Sequence, residues 1–140
     1  FGTTTPTSER PDAARRAGRG ELNGARMADC LFCKIIEGQI PAQVVHRDEQ
    51  CVGFLDINPQ APLHALFVPL RHIPTLNDVT VEDREVLGHL MFCAQKLAHE
   101  RGHTEGGYRM VVNTNRDAGQ TVFHIHLHLL AGRTMAWPPG

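Results

Sequence analysis

Three histidines stand at alternate positions in the run Val122-Phe123-His124-Ile125-His126-Leu127-His128-Leu129-Leu130. In a strand successive side chains project to opposite faces, so His124, His126 and His128 share one side, about 6.7 Å apart at each step. Phe123, Ile125, Leu127 and Leu129 take the other side and supply a core face. A plain solvent face uses Lys, Thr and Glu; a row of imidazoles implies chemistry. Two kinds are open. A neutral imidazole can attack phosphorus while its neighbours orient it and donate protons to phosphate oxygens, because its pKa lies near neutral pH. Three imidazoles on one face can equally ligate a metal. Spacing alone does not separate the two.

A second group of chemical interest is Cys30-Leu31-Phe32-Cys33, the C-x₂-C half of a tetrahedral zinc site. The chain has no second such pair, so the remaining ligands would be distant histidines. A redox dithiol would need a βαβ setting that is not found here, while two unmetallated core thiols remain the competing reading. Cys51 and Cys93 lie in apolar segments and read as small buried hydrophobes.

The elements that must position these groups can be read from the apolar pattern. Leu31 to Glu37 is expected to form a short helix ended by Gly38. Val44–Val45, Cys51 to Ile57, Leu63 to Leu70, Tyr108 to Asn113 and Val122 to Leu130 read as strands, with a turn at Asn58–Pro59. Between the third and fourth lies one long helix. Thr80 is its N-cap, Glu82 and Asp83 occupy its first turn, and Gly102 ends it. Val86, Leu87, Leu90, Met91, Ala94, Leu97 and Ala98 recur at helical spacing as its apolar stripe. Five strands around one long helix imply an α+β domain with an antiparallel sheet.

The chain has 140 residues, which suits a single domain, and 41% of them are apolar. Its formal net charge of −1 gives no electrostatic reason to expect nucleic acid or a membrane surface as partner. No apolar run approaches a membrane span. Four cysteines without a secretory signal point to reduced thiols and a cytoplasmic protein. Residues 1–26 have no apolar period and are expected to be a disordered or non-native extension, with the domain over 27–140. Their arginines also allow a transit peptide, which Glu9, Asp12 and Glu21 argue against.

The run from Gly119 to Leu130 resembles the signature of the histidine triad (HIT) family, in which three histidines alternate with apolar residues. It is most similar to the Hint branch, the nucleoside phosphoramidases. Leu55-Asp56-Ile57-Asn58-Pro59-Gln60-Ala61-Pro62-Leu63-His64, Tyr108-Arg109-Met110-Val111-Val112-Asn113 and Trp137-Pro138-Pro139-Gly140 extend the likeness over about residues 30–140. The resemblance implies a homodimeric hydrolase of purine nucleoside 5′-phosphoramidates and aminoacyl adenylates. His126 would be the nucleophile of a nucleotidyl-histidine intermediate, and no catalytic cofactor would be needed. His128 would hydrogen-bond the phosphate, His124 would hold His126 in orientation, and His64 would complete the imidazole network.

By the same resemblance Asp56 would bind the ribose of a nucleotide such as AMP or GMP. Its other reading is a simple cap of the turn that follows. Ile57 would lie against the base. Asn113, Gly119, Gln120 and Thr121 would contact phosphate and leaving group, Thr121 standing where the branch often has Ser. The tail at Trp137 would lie near the partner subunit's site. Bacterial relatives with the cysteine pair imply a structural zinc on Cys30, Cys33, His72 and His124. Two alternatives to the phosphoramidase reading are a dinucleoside polyphosphate hydrolase and a nucleotide-binding scaffold with incidental activity.

Overall fold

The computed structural model describes residues 29–140; the extension expected at 1–26 lies outside the described residues. Helix α1 spans Leu31–Ile36, and Gly38 follows with φ 81°, a left-handed stop that suits glycine. Strands β1 (Val44–Arg47), β2 (Cys51–Leu55) and β3 (Leu63–Pro69) come next, then two 3₁₀ turns and the long helix α2 (Arg84–Glu100). Strand β4 (Tyr108–Val111), a short helix α3 (Asn115–Ala118) and β5 (Leu127–Ala131) complete the chain. The five strands form one antiparallel sheet in the order β1-β2-β3-β5-β4.

The start of α2 follows from its sequence. The Asp83 carboxylate accepts the Thr80 N–H at 2.9 Å and pairs with Arg71, while Val81–Asp83 forms a 3₁₀ turn before the helix proper. A matching box at Thr75 and Asp78 caps the preceding turn, Leu76–Asp78. The apolar stripe of α2 sits partly elsewhere than expected. Leu90, Cys93, Ala94, Leu97 and Ala98 are buried, but Met91 is exposed. Cys93 continues the buried face instead.

Strand alternation gives the sheet two apolar faces. Ala65, Phe67, Leu127 and Leu129 join Leu90, Cys93, Ala94 and Leu97 in the core under α2. Val52, Phe54, Leu66 and Val68 join Cys30, Phe32, Cys33 and Ile35 in a second core under α1. Gly53 is required by close approach: a Cβ there would lie 2.5 Å from Cε1 of Phe67, its cross-strand partner. Among the described residues no helix is long and apolar enough to cross a membrane.

Sequence and structure part at the histidine run. The strand expected over Val122 to Leu130 begins only at Leu127, and residues 124–127 are all buried rather than alternating. Phe123 is 45% exposed and is not a core residue. The chain is still outside the sheet here and lies along the loop that follows β3, where the Ile125 N–H donates to the Ile73 carbonyl at 2.8 Å. His124, His126 and His128 therefore do not form one row on one strand face.

Candidate active site

His64 on β3 and His128 on β5 lie on the face opposite α2. His128 pairs across the ladder with Leu66, two residues from His64, and both therefore share the parity of Leu66. A chain of hydrogen bonds fixes their tautomers. The Gln60 N–H donates to Nδ1 of His64 at 2.9 Å, so Nε2 of His64 carries the proton. That Nε2 lies 2.9 Å from Nδ1 of His128, which must accept. The proton of His128 is thereby left on Nε2, as a donor. Asp56 stands at the head of the chain, with Oδ2 3.5 Å from Nε2 of His64.

His126 is held by backbone. Its Nδ1 lies 2.8 Å from the carbonyl oxygen of His124, an acceptor only, so Nδ1 carries the proton and Nε2 keeps its lone pair. His124 thus orients His126 through its main chain rather than its ring. The His126 and His128 ring centroids are 5.0 Å apart, and Phe32 packs edge-on against His126 at 4.9 Å. Phe32 is a site residue that the sequence reading passed over. It lies between the two cysteines, and its only signal was an aromatic beside them.

Burial sets the charge state. It pulls His64 and His126 below the ordinary imidazole value, although Asp56 opposes this in both and the His124 carbonyl opposes it in His126. Burial, then the neighbouring His126 and His64, pull His128 down to about 4. The site is thus a set of neutral imidazoles, each with an assigned donor and acceptor.

The His124 side chain belongs to a different cluster. Nε2 lies 2.8 Å from the Pro69 carbonyl, so the proton is there, and the Nδ1 lone pair faces Sγ of Cys30 and Cys33, each at 3.5 Å. Nδ1 of His72 lies 3.4 Å from Sγ of Cys33. All four residues are buried, and their donor atoms lie within 4.8 Å of one another. Burial, then Cys30, pushes the Cys33 thiol up to about 12. The donor set fits zinc in kind, number and tautomer, with the second imidazole nitrogen of His124 anchored on a carbonyl. It also corrects the three-imidazole metal reading, since His124 turns to the thiols and His128 to His64.

The other expected residues flank the histidines. Oδ1 of Asp56 accepts the Asn58 N–H at 2.8 Å, so the turn cap is real, and Oδ2 still faces the site. Ile57 is 95% exposed on that turn. Asn113, Gly119 and Thr121 lie on the connection between β4 and β5, where Gly119 ends α3 with φ 85°. Gln120 does something else. Its side-chain N–H groups donate to Pro74 and Val122 carbonyls, and its Oε1 accepts the Asn115 N–H. It braces the loop, and both side-chain donors are already committed. Trp137 is 81% exposed, with the Arg109 guanidinium 6.0 Å from its ring centre.

Known proteins similar to this chain point to one family. Residues 37–135 match the HIT domain family. The chain is 47% identical over 107 residues to the purine nucleoside phosphoramidase of Escherichia coli, covering 76% of this chain and 90% of that protein. It is 48% identical over 112 residues to an uncharacterised HIT-like protein of Synechococcus elongatus, covering 80% and 97%. Among solved structures, a HIT family hydrolase from Legionella pneumophila superposes with a TM-score of 0.78 at 55% identity, covering 79% of this chain and 99% of that one. A histidine triad protein from Clostridium difficile gives 0.75 at 39% identity, covering 77% and 94%. Matched by the family over residues 37–135 and by these relatives over more than three quarters of its length, the chain belongs to the HIT family.

Proposed function

We propose that the chain hydrolyses purine nucleoside 5′-phosphoramidates, with aminoacyl adenylates as related substrates, through a covalent nucleotidyl-His126 intermediate. The observation that carries this reading is the tautomer of His126: Nδ1–H on a carbonyl leaves Nε2 as a lone pair beside a donor, Nε2–H of His128. In the proposed reaction Nε2 of His126 attacks the α-phosphorus, and the phosphorus–nitrogen bond of the substrate breaks. Its electron pair goes to the leaving nitrogen, which takes up a proton and departs as an amine. Water then displaces the nucleotide from His126, releasing nucleoside monophosphate. His128 would donate to a phosphate oxygen, and Asp56 would accept from the ribose. The name of the Escherichia coli relative supports the substrate class.

A competition assay tests this. Adenosine phosphoramidate, diadenosine polyphosphate and aminoacyl adenylate are offered at equal concentration to the full chain. The phosphoramidate is expected to give the highest kcat/KM, and a preference for diadenosine polyphosphate would overturn the reading.

The pH profile is a second expectation. Free imidazole gains its proton near pH 6.5, but His128 here does so at about 4 and His126 below its usual value. As pH falls from 8, the neutral nucleophile therefore persists past 6.5, and kcat/KM should begin to decline only below that pH. A half-loss at 6.5 would show that the site's imidazoles are not desolvated.

We also propose a structural zinc on Cys30, Cys33, His72 and His124. A closed set of four protein ligands would supply a tether between α1, the loop after β3 and the histidine run, leaving no open position for substrate. Homodimerisation belongs to the same proposal. An indole standing in solvent against one guanidinium suits a segment that reaches a second copy's site.

A further inference from the structure

On the opposite face of the sheet, under α2, a second cluster of metal-ligating groups plays no part in the reaction proposed above. His46 on β1, Asp48 in the β1–β2 turn, Cys51 on β2, and His89 and Cys93 on α2 bring one donor atom each within 4.8 Å of the others. The topology makes this convergence. His46 pairs with Gly53 and Gly53 with Phe67, so His46 lies in the row that faces α2. His89 and Cys93 are four residues apart and therefore share one side of that helix.

The contacts centre on a single oxygen. Oδ2 of Asp48 lies 2.6 Å from Nε2 of His46 and 2.7 Å from Nε2 of His89. The Sγ atoms of Cys51 and Cys93 each lie 3.8 Å from it. Four donors on one carboxylate oxygen exceed what its two lone pairs can accept. The other oxygen, Oδ1, is held at 2.7 and 2.8 Å by the N–H groups of Gln50 and Cys51, which fixes the carboxylate with Oδ2 aimed into the cluster. Burial works against ionisation of this carboxyl, but the two histidines and those two N–H groups outweigh it and hold it well below the usual carboxylate range.

We propose that His46 Nε2, Asp48 Oδ2, His89 Nε2 and Cys93 Sγ form a second metal site, for a zinc-like divalent transition ion. Tetrahedral zinc with bonds of about 2.0–2.3 Å puts nitrogen and sulfur ligands about 3.5 Å apart. Sγ of Cys93 lies 3.4 Å from both Nε2 atoms. The two histidine–carboxylate hydrogen bonds must lengthen, to about 3.3 Å on the same geometry, and the 3.8 Å between Asp48 Oδ2 and Cys93 Sγ must shorten slightly. Two imidazoles, one thiolate and one carboxylate select zinc, cobalt or copper over calcium or magnesium. Cys51, fully buried behind Cys93 at 4.0 Å between sulfurs, stays a thiol. His46, Asp48 and His89 are each about a quarter exposed, which leaves an entry path. A bound ion would clamp the β1–β2 hairpin to α2.

The test is zinc stoichiometry on the full chain, reduced, stripped by chelator and reloaded with zinc alone, for wild type, Cys93→Ala and His46→Asn. His46 is about a quarter exposed on the outermost strand, so H46N is expected to fold even if the core variant does not. Wild type is expected to hold one zinc per chain more than either variant, whatever the Cys30–Cys33 cluster contributes. After loading with cobalt alone, the wild-type minus C93A spectrum should show a tetrahedral visible band and a thiolate charge-transfer band. Equal zinc content in wild type and H46N, or a cobalt difference spectrum without the thiolate band, overturns the site and leaves the cluster a hydrogen-bond network.

Discussion

His126→Ala is expected to lower turnover of a nucleoside phosphoramidate by about three to five powers of ten, the scale on which removal of a covalent nucleophile acts. The argument rests on supply of lone pairs. His128 accepts on Nδ1 and carries its proton on Nε2, and His64 accepts on Nδ1 from Gln60. The ring of His124 faces the Cys30 and Cys33 sulfurs. Of the four imidazoles only His126 is left with an unengaged basic nitrogen. Nucleotide affinity should change by no more than a few-fold, because the proposed ribose and phosphate contacts come from Asp56 and His128. Rapid base quench of wild type should trap nucleotide on histidine, because a phosphorus–nitrogen bond survives base and not acid, and the variant should trap none. If H126A retained a tenth of wild-type turnover, or if trapped nucleotide lay elsewhere, the covalent route would be abandoned.

Much of the architecture was legible because its signals are local. Helix α2 announces itself by Thr80 with Asp83 at one end and Gly102 at the other, and the first four strands begin where β-rich runs begin. The histidine run misled for a physical reason. His124 and Ile125 are both buried, one against thiols and one in the core, so an alternating sequence came from two burial environments rather than two strand faces. Spacing recorded that three imidazoles were wanted. It could not record that the chain stays out of the sheet until Leu127 and so delivers them to different places.

Long-range partners were beyond the reach of pattern. Gln120 looks like a ligand-facing amide until its three backbone contacts are seen, and Phe32 looks like any apolar residue until it meets His126. The cluster under α2 left a trace, His46 two residues before Asp48 and His89 four before Cys93 on a helix. Nothing local says that these two pairs meet. Cys93 is buried as expected, but it is also a neighbour of two imidazoles.

The second large effect is expected from Cys30→Ala/Cys33→Ala. Without an ion the cluster is a liability. Two thiols and two imidazoles sit in a buried pocket, with burial pulling His124 down to about 4 and pushing Cys33 up to about 12. A cation reverses the preference of the thiols and agrees with that of the imidazoles, since it is bound by thiolate and neutral imidazole, and its binding free energy becomes folding free energy. Helix α1 has only six residues, too short to persist alone, and its attachment rests on this cluster and on Phe32 and Ile35 in the second core. Loss of the zinc should therefore cost at least about 2 kcal/mol, which for a domain of this size is a fall in Tm of about 5–15 °C. Zinc content should drop by one per chain. Turnover measured below the new Tm should fall only a few-fold, through a less well-packed Phe32 against His126. Chelation of wild type should lower stability by at least as much. If turnover instead vanished in step with zinc and returned when zinc was restored to folded protein, the ion would be part of the chemistry and the closed structural site would be the wrong description.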